Sequence, residues 1–414
     1  MVFLTILKCP ILLFVVAYTI NAQNLSTGYY NVIDYGAVAD GQTDSTQAFL
    51  KAWVEACMGD GAPTILIPKG AYLVGPLTFK GPCKSPVSVR LKGSLLASTD
   101  LGLFSNNWIE FQYIKGLKIT GGGTLDGQGA SAWPNNKCHR NSKCNILPVS
   151  LVLSFVEDAI INAIHLVNSK FFHMNIFASK NVHLNKLKIK APTDSPNTDG
   201  IHMGDVTNIK ISNTIIGTGD DCISIGPGSV NVAISNVKCG PGHGISIGSL
   251  GKYLNEKDVR GLRVQNCTLT GTTNGVRIKT WENNPSSLVA SDIFFEDIQM
   301  DDVDNPIVID QKYCPHNFCS DRDSPSKVKV QNVVFRNIKG TSTSPVAVQL
   351  VCSDAVPCEG IELSSVFLQS DKYELKTVCA NVHGSYHLNP TRSASREASV
   401  GAPIARADAS IHEN

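Results

Sequence analysis

Between Asn197 and Lys279 the chain carries, in one run, groups able to move protons and bind an anion. Asn197-Thr198-Asp199-Gly200 comes first, followed by Gly219-Asp220-Asp221-Cys222, Gly242-His243-Gly244 and Arg277-Ile278-Lys279. Twenty-two residues separate Asp199 from Asp221, and 22 separate Asp221 from His243. A fixed period in a β-rich sequence predicts stacked repeats, which bring equivalent residues of neighbouring coils to the strand spacing of about 4.7–4.9 Å. Asp199, Asp221 and His243 are therefore expected as a column, with Asp220, one residue earlier, projecting differently. Three carboxylates this close cannot all ionise freely. Their repulsion raises the proton affinity of one, which suits a general acid beside a general base. Arg277 and Lys279 lie two apart on one strand and so share a face, expected outward because Val276 and Ile278 take the inward side. Two cations beside acid–base carboxylates describe hydrolysis of a glycosidic bond between uronic acids. Asp and Asn at coil corners also hydrogen-bond their own turns; that explains a single Asp better than the full set in register.

The elements that must position these groups are short strands. One half of the repeat reads apolar-x-apolar ending in Asn or Asp, as in Ile209-Lys210-Ile211-Ser212-Asn213, Val232-Ala233-Ile234-Ser235-Asn236 and Leu262-Arg263-Val264-Gln265-Asn266. The other half is a second short strand, starting at Gly200, Cys222, Gly244, Gly275 and Pro306, with steps of 22, 22, 31 and 31 residues. This two-strand unit, recurring from about residue 115, predicts an all-β fold: a single-stranded right-handed parallel β-helix. A sandwich would need antiparallel hairpins with two-residue turns, and few such signals occur. Asp44 to Cys57 reads as a helix with Asp44 as its N-cap and Phe49, Ala52, Trp53 and Ala56 on one face. Such a helix would cap the N-terminal end of the stack.

Composition narrows the partners. With 36 basic against 35 acidic residues there is no global field to hold nucleic acid or an anionic membrane. Residues 1–22, with Lys8, the apolar run Ile11 to Ala17 and a small residue at Ala22, read as a secretory signal peptide, leaving no membrane attachment after cleavage. Thirteen cysteines without Cys-x-x-Cys spacing read as disulfides in an oxidising compartment; losing Cys9 with the leader leaves twelve. The catalytic domain is expected over 23–387. Residues 388–414, rich in Ala, Ser and Arg, have no apolar period and read as a disordered tail.

The four motifs, in this order, resemble the signatures of the polygalacturonase family of pectin-degrading glycoside hydrolases. The similarity runs from about Tyr30 to about Cys379, and Ile216 to Gly228 with Gly248 to Tyr253 is most similar to plant, pollen-type exopolygalacturonases. The resemblance implies inverting hydrolysis of α-1,4-galacturonosyl bonds, with Asp220 as general acid and Asp199 and Asp221 holding and activating water. It further implies His243 tuning the carboxylates by hydrogen bonding, and Asn197, Arg277, Lys279 and Tyr313 binding the substrate. An inverting pair needs carboxyls about 6.5–9.5 Å apart, so Asp220 is expected to splay away from Asp199 and Asp221. No metal or other cofactor is expected, and the enzyme is expected to act as a monomer on polygalacturonate in the cell wall. By resemblance, Cys57–Cys83, Cys222–Cys239 and Cys352–Cys358 are disulfides. Cys138–Cys144 and Cys314–Cys319 are expected from proximity, with Cys267 and Cys379 left over. Asn24 and Asn266 fit the glycosylation pattern, the second where a coil is expected to bury it. The alternatives are an endo-acting polygalacturonase, a rhamnogalacturonan or xylogalacturonan hydrolase, a calcium-dependent pectate lyase, and a catalytically silent wall-binding β-helix.

Overall fold

Alternation at period two folds each short segment into a strand, and the apolar members of successive strands fall into register. Ile201, Ile223, Ile245, Val276 and Ile307 form one inward stack, and Met203, Ile225, Ile247, Ile278 and Ile309 the next. All ten are fully buried, each contributing roughly 1.5–3 kcal/mol by leaving water. The result is a parallel β-helix. The computed structural model describes residues 28–105, 107–137, 146–285, 287–315, 319 and 324–388. Among these, one parallel sheet has 11 strands and a second has 21. The 11-stranded sheet, here called the site sheet, contains Ile201–Gly204, Ile223–Ile225, Ile245–Leu250, Asn274–Trp281 and Asn305–Tyr313 in order.

The repeat differs from the expected two-strand unit in having three strands per coil. His165–Val167, Lys188–Lys190, Ile215–Gly217 and Lys238–Cys239 form an extra ladder of two or three residues each. Each contributes one inward residue, respectively Leu166, Ile189, Ile216 and Cys239. A single apolar residue has no period, so the sequence pattern hides it. The coils also begin well before residue 115, since Tyr29–Asn31 already pairs with Thr64–Ile67.

Corners are made by asparagines and aspartates in the left-handed region, which their short polar side chains tolerate. Asp158, Asn181, Asn208 and Asn231 have φ of 55° to 58°, and each asparagine amide donates to the preceding corner at 2.9, 3.1 and 3.3 Å. Asn213, Asn236 and Asn266 make a second such ladder. Asn266 is exposed within it while Cys267 beside it points inward, so the coil does not bury this residue. Asn24 lies outside the described residues.

The N-terminal helix spans Thr46–Met58. Its N-cap is Ser45, one residue later than expected, because the first helical amide, that of Phe49, donates to the Ser45 carbonyl at 3.3 Å; Asp44 still accepts from the Thr46 amide at 2.9 Å. Trp53 packs on Phe79 and Phe111 with ring centroids 4.9 and 5.6 Å away, sealing the first coils. Disulfides join Cys57 to Cys83, Cys222 to Cys239, Cys314 to Cys319 and Cys352 to Cys358. Cys267 and Cys379 are free. Cys138, Cys144, the segment 1–22 and all of the tail beyond Leu388 lie outside the described residues. No helix among those described is long and apolar enough to cross a membrane.

Candidate active site

Three of the motifs lie where a coil leaves the short third strand and enters the site sheet, and the fourth, Arg277-Ile278-Lys279, lies within the site-sheet strand Asn274–Trp281. Backbone bonds hold these loops in register: the Gly200 amide donates to the Asp221 carbonyl at 2.9 Å and the Cys222 amide to the Gly244 carbonyl at 2.8 Å. Glycines permit this spacing. A Cβ on Gly219 would sit 2.1 Å from the Ser195 carbonyl oxygen, and one on Gly242 would sit 2.6 Å from that of Asp220. The Cys222–Cys239 bond ties the Asp220-Asp221 loop to the strand preceding the next loop.

Asp199, Asp221 and His243 occupy equivalent backbone positions, but their side chains take different partners. His243 Nδ1 pairs with Asp220 Oδ1 at 3.0 Å. The Asp221 amide also donates to that oxygen at 2.8 Å, whereas Asp220 Oδ2, among the described residues, has the long 3.4 Å contact from Asn197 Nδ2. Asp221 turns the other way: Oδ1 accepts from Ser246 Oγ at 2.8 Å and from an Arg277 Nη at 3.1 Å, and Oδ2 from Lys279 Nζ at 2.7 Å. Adjacent carboxylates thus face different neighbours. Asp199 Oδ2 accepts from Ser224 Oγ at 2.6 Å.

These contacts separate the proton affinities. Burial pushes the Asp199 carboxyl well above the ordinary range, reinforced by the charges of Asp220 and Asp221. Burial works in the same sense on Asp221, but Lys279 and Arg277 outweigh it and hold that carboxyl below the ordinary value. The hydrogen bond to Asp220 raises the His243 imidazole. Burial alone would lower the Lys279 ammonium; Asp221 reverses the sign.

Arg277 and Lys279 face away from the helix interior, as expected, yet they are not free in solvent. Lys279 is only 7% exposed, and both cations are engaged by Asp221. Asp199 and Asp220 also feel or act on the Lys279 charge, so the three aspartates and two cations form one charge cluster. Donors remain available on both, since a guanidinium offers five and an ammonium three. The Tyr313 ring covers this pair, with Lys279 Nζ at 5.3 Å and the Arg277 guanidinium at 5.9 Å from its centroid. Trp281 meets Tyr313 edge-on at 5.8 Å. Asp220, Asp221 and His243 each place one donor atom within 4.8 Å of the others. A metal cation among them would be repelled by the two cations already on Asp221.

Several contacting residues were missed. Ser224 and Ser246 lie 25 residues beyond the aspartates they serve, so they carry the same 22-residue period and were readable as outward positions of the second strand. His202 Nδ1 lies 2.7 Å from Ser224 Oγ, one coil earlier in the same row. Asn136 donates to Asn197 Oδ1 at 3.0 Å across 61 residues, and no local pattern announces that contact.

Comparison with known proteins places this architecture. The family model for glycosyl hydrolases family 28 matches residues 57–394. An exopolygalacturonase from Zea mays is 51% identical over 362 residues, covering 86% of this chain and 88% of its own length. The fold is shared with endo-xylogalacturonan hydrolase from Aspergillus tubingensis at TM-score 0.75 and 23% identity, covering 88% of this chain and all of that one. It is shared also with polygalacturonase from Erwinia carotovora at TM-score 0.68 and 25% identity, covering 83% and 95%. The chain belongs to glycosyl hydrolases family 28, the polygalacturonase family.

Proposed function

We propose that this protein is a secreted, exo-acting polygalacturonase that removes galacturonic acid from polygalacturonate with inversion. The observation that carries the chemistry is the contrast between two buried carboxylates one coil apart, one with raised and one with lowered proton affinity, beside a third bonded to His243. A general base works best when its proton affinity approaches the operating pH, which suits Asp199. Asp221, kept as an anion by Lys279 and Arg277, orients the water and opposes the positive charge that develops at the sugar ring. Asp220 is the general acid. Its Oδ1 is engaged by the Asp221 amide and His243, which leaves Oδ2 as the oxygen to face the leaving group. The Arg277 and Lys279 donors not taken up by Asp221 and Ser246, roofed by Tyr313, receive the uronate carboxylate, and Asn197 orients Asp220. Exo action is supported by similarity to exopolygalacturonases. Secretion is supported by the four disulfides among the described residues, since such bonds persist in oxidising compartments.

The test is chromatography of early products from polygalacturonate, with Asp220→Asn as the control. Monomer alone is expected; a ladder of oligomers means endo action, and no cleavage means a silent binder or another pectin backbone as substrate. Asp220→Asn should lose about 10²–10⁴-fold in kcat with an unchanged melting temperature, and wild-type turnover in that variant would refute the acid assignment.

A further inference from the structure

His202, Ser224, Ser246 and Arg277 occupy one position on four successive strands of the site sheet. Each serine hydroxyl serves the aspartate of the preceding coil: Ser224 lies 2.6 Å from Asp199 and Ser246 lies 2.8 Å from Asp221. Their other neighbours differ. Ser246 Oγ accepts from Arg277 Nε at 3.2 Å. A guanidinium cannot accept, and a hydroxyl has one proton, so Ser246 can only donate to Asp221. The polarity of that chain is fixed.

Ser224 Oγ instead lies 2.7 Å from His202 Nδ1. A neutral imidazole nitrogen either donates or accepts, according to tautomer. With Asp199 ionised, His202 Nδ1–H donates to Ser224 and Ser224 donates to Asp199. With Asp199 protonated, all three reverse. We infer that Ser224 and His202 form a proton exit for Asp199, which clears the base after each turnover.

The step balances without any further reactant. Asp199 starts with the proton it took from the attacking water, and His202 as the Nε2–H tautomer. The Asp199 O–H bond breaks as that proton forms a new bond to Ser224 Oγ. The original Ser224 O–H breaks as its proton bonds His202 Nδ1, giving an imidazolium. His202 then loses the Nε2 proton to solvent water, which leaves ionised Asp199 and neutral His202 as the Nδ1–H tautomer. Exchange of one proton out and one in through solvent returns the ring to the Nε2–H tautomer before the next transfer.

The surroundings favour release. Phe172 lies against the His202 ring with centroids 4.9 Å apart. Burial and the Lys279 charge, opposed by Asp221, hold the imidazole down to about 4, so an imidazolium gives up its proton readily, while the raised proton affinity of Asp199 makes the transfer onto His202 the uphill part of the step. The charged groups facing Asp199 are Asp220, Asp221 and Lys279. His173, buried behind it, meets Asp199 at the main-chain carbonyl, 3.1 Å from Nδ1, and its Nε2 lies 3.3 Å from the Lys190 carbonyl. This role rests on the proposed reading of Asp199 as base, and Ser224 and His202 act through its carboxylate.

The experiment measures kcat and KM on polygalacturonate for the full chain carrying Ser224→Ala, His202→Ala or His202→Gln, with and without imidazole in solution. Each variant should lose about 10²-fold in kcat while KM stays within about twofold. Imidazole should restore His202→Ala but not Ser224→Ala, because only the first leaves the Ser224 hydroxyl to receive the proton. If His202→Ala fails to fold, His202→Gln keeps a hydrogen bond to Ser224 but carries no proton, and the same loss is expected. Unchanged kcat, a loss confined to KM, or no rescue overturns the proton exit. An inactive wild type would instead overturn the hydrolase reading, so the two failures are distinguishable.

Discussion

Asp199 and Asp221 are the most instructive pair in the molecule, because almost everything local about them is the same. Both end a loop at the entrance to the site sheet, both are buried, and both accept a hydroxyl from a serine 25 residues downstream. Burial alone would raise both. They part because Lys279 Nζ and an Arg277 Nη reach Asp221 at 2.7 and 3.1 Å, whereas Asp199 meets a serine shared with a neutral imidazole. The repeat duplicates the carboxylate but not its counter-charge. Identical backbone positions therefore yield two protonation behaviours, and acid–base chemistry needs that difference.

The largest expected effect breaks the comparison at Asp199. Asp199→Asn keeps an acceptor for Ser224 but removes the proposed base, so kcat should fall by about 10²–10⁴-fold with KM little changed. A larger loss in KM than in kcat would mean that Asp199 binds substrate instead.

Lys279→Met attacks the feature that separates the two. Asp221 would stay buried with Arg277 as its remaining cation, and breaking a buried pair from one side costs about 3–5 kcal/mol, read by denaturant unfolding. The acid limb of the pH–rate profile should also move to higher pH, as Asp221 begins to behave like Asp199. An unmoved limb would show that Lys279 does not set the protonation of Asp221.

The smallest effect is a pair of opposite pH slopes in stability. Asp199 binds its proton more tightly folded than unfolded, so its contribution falls as pH rises from the ordinary value of 3.8 towards its raised value. Asp221 binds its proton less tightly folded. Its stabilisation is present above 3.8 and fades as pH drops through its lowered value. Melting curves across pH should show Asp199→Asn gaining on the wild type as pH rises above about 4. Asp221→Asn should lose to the wild type near neutrality and recover as the medium becomes strongly acidic. Parallel curves would remove the distinction between the two carboxylates.

Much of this was legible in one dimension. The 22-residue period predicted coils in register, the buried face Phe49, Ala52, Trp53 and Ala56 identified the capping helix, and the asparagines ending the apolar runs marked the corners. The third strand was not legible, because two or three residues with one inward side chain have no period. Neither was the partner choice of each charged group. Nothing in Asp220-Asp221 tells which of two adjacent carboxylates turns to His243 and which to Lys279, and nothing near Asn197 announces Asn136.

What the sequence determined by itself is the architecture and the inventory: spacing alone dictates which coil carries which residue, since a parallel stack preserves register from strand to strand. What only the tertiary structure decided is the charge state of the site. A carboxylate's proton affinity depends on burial and on cations a few ångströms away, and those of Asp221 come from 56 and 58 residues further along the chain.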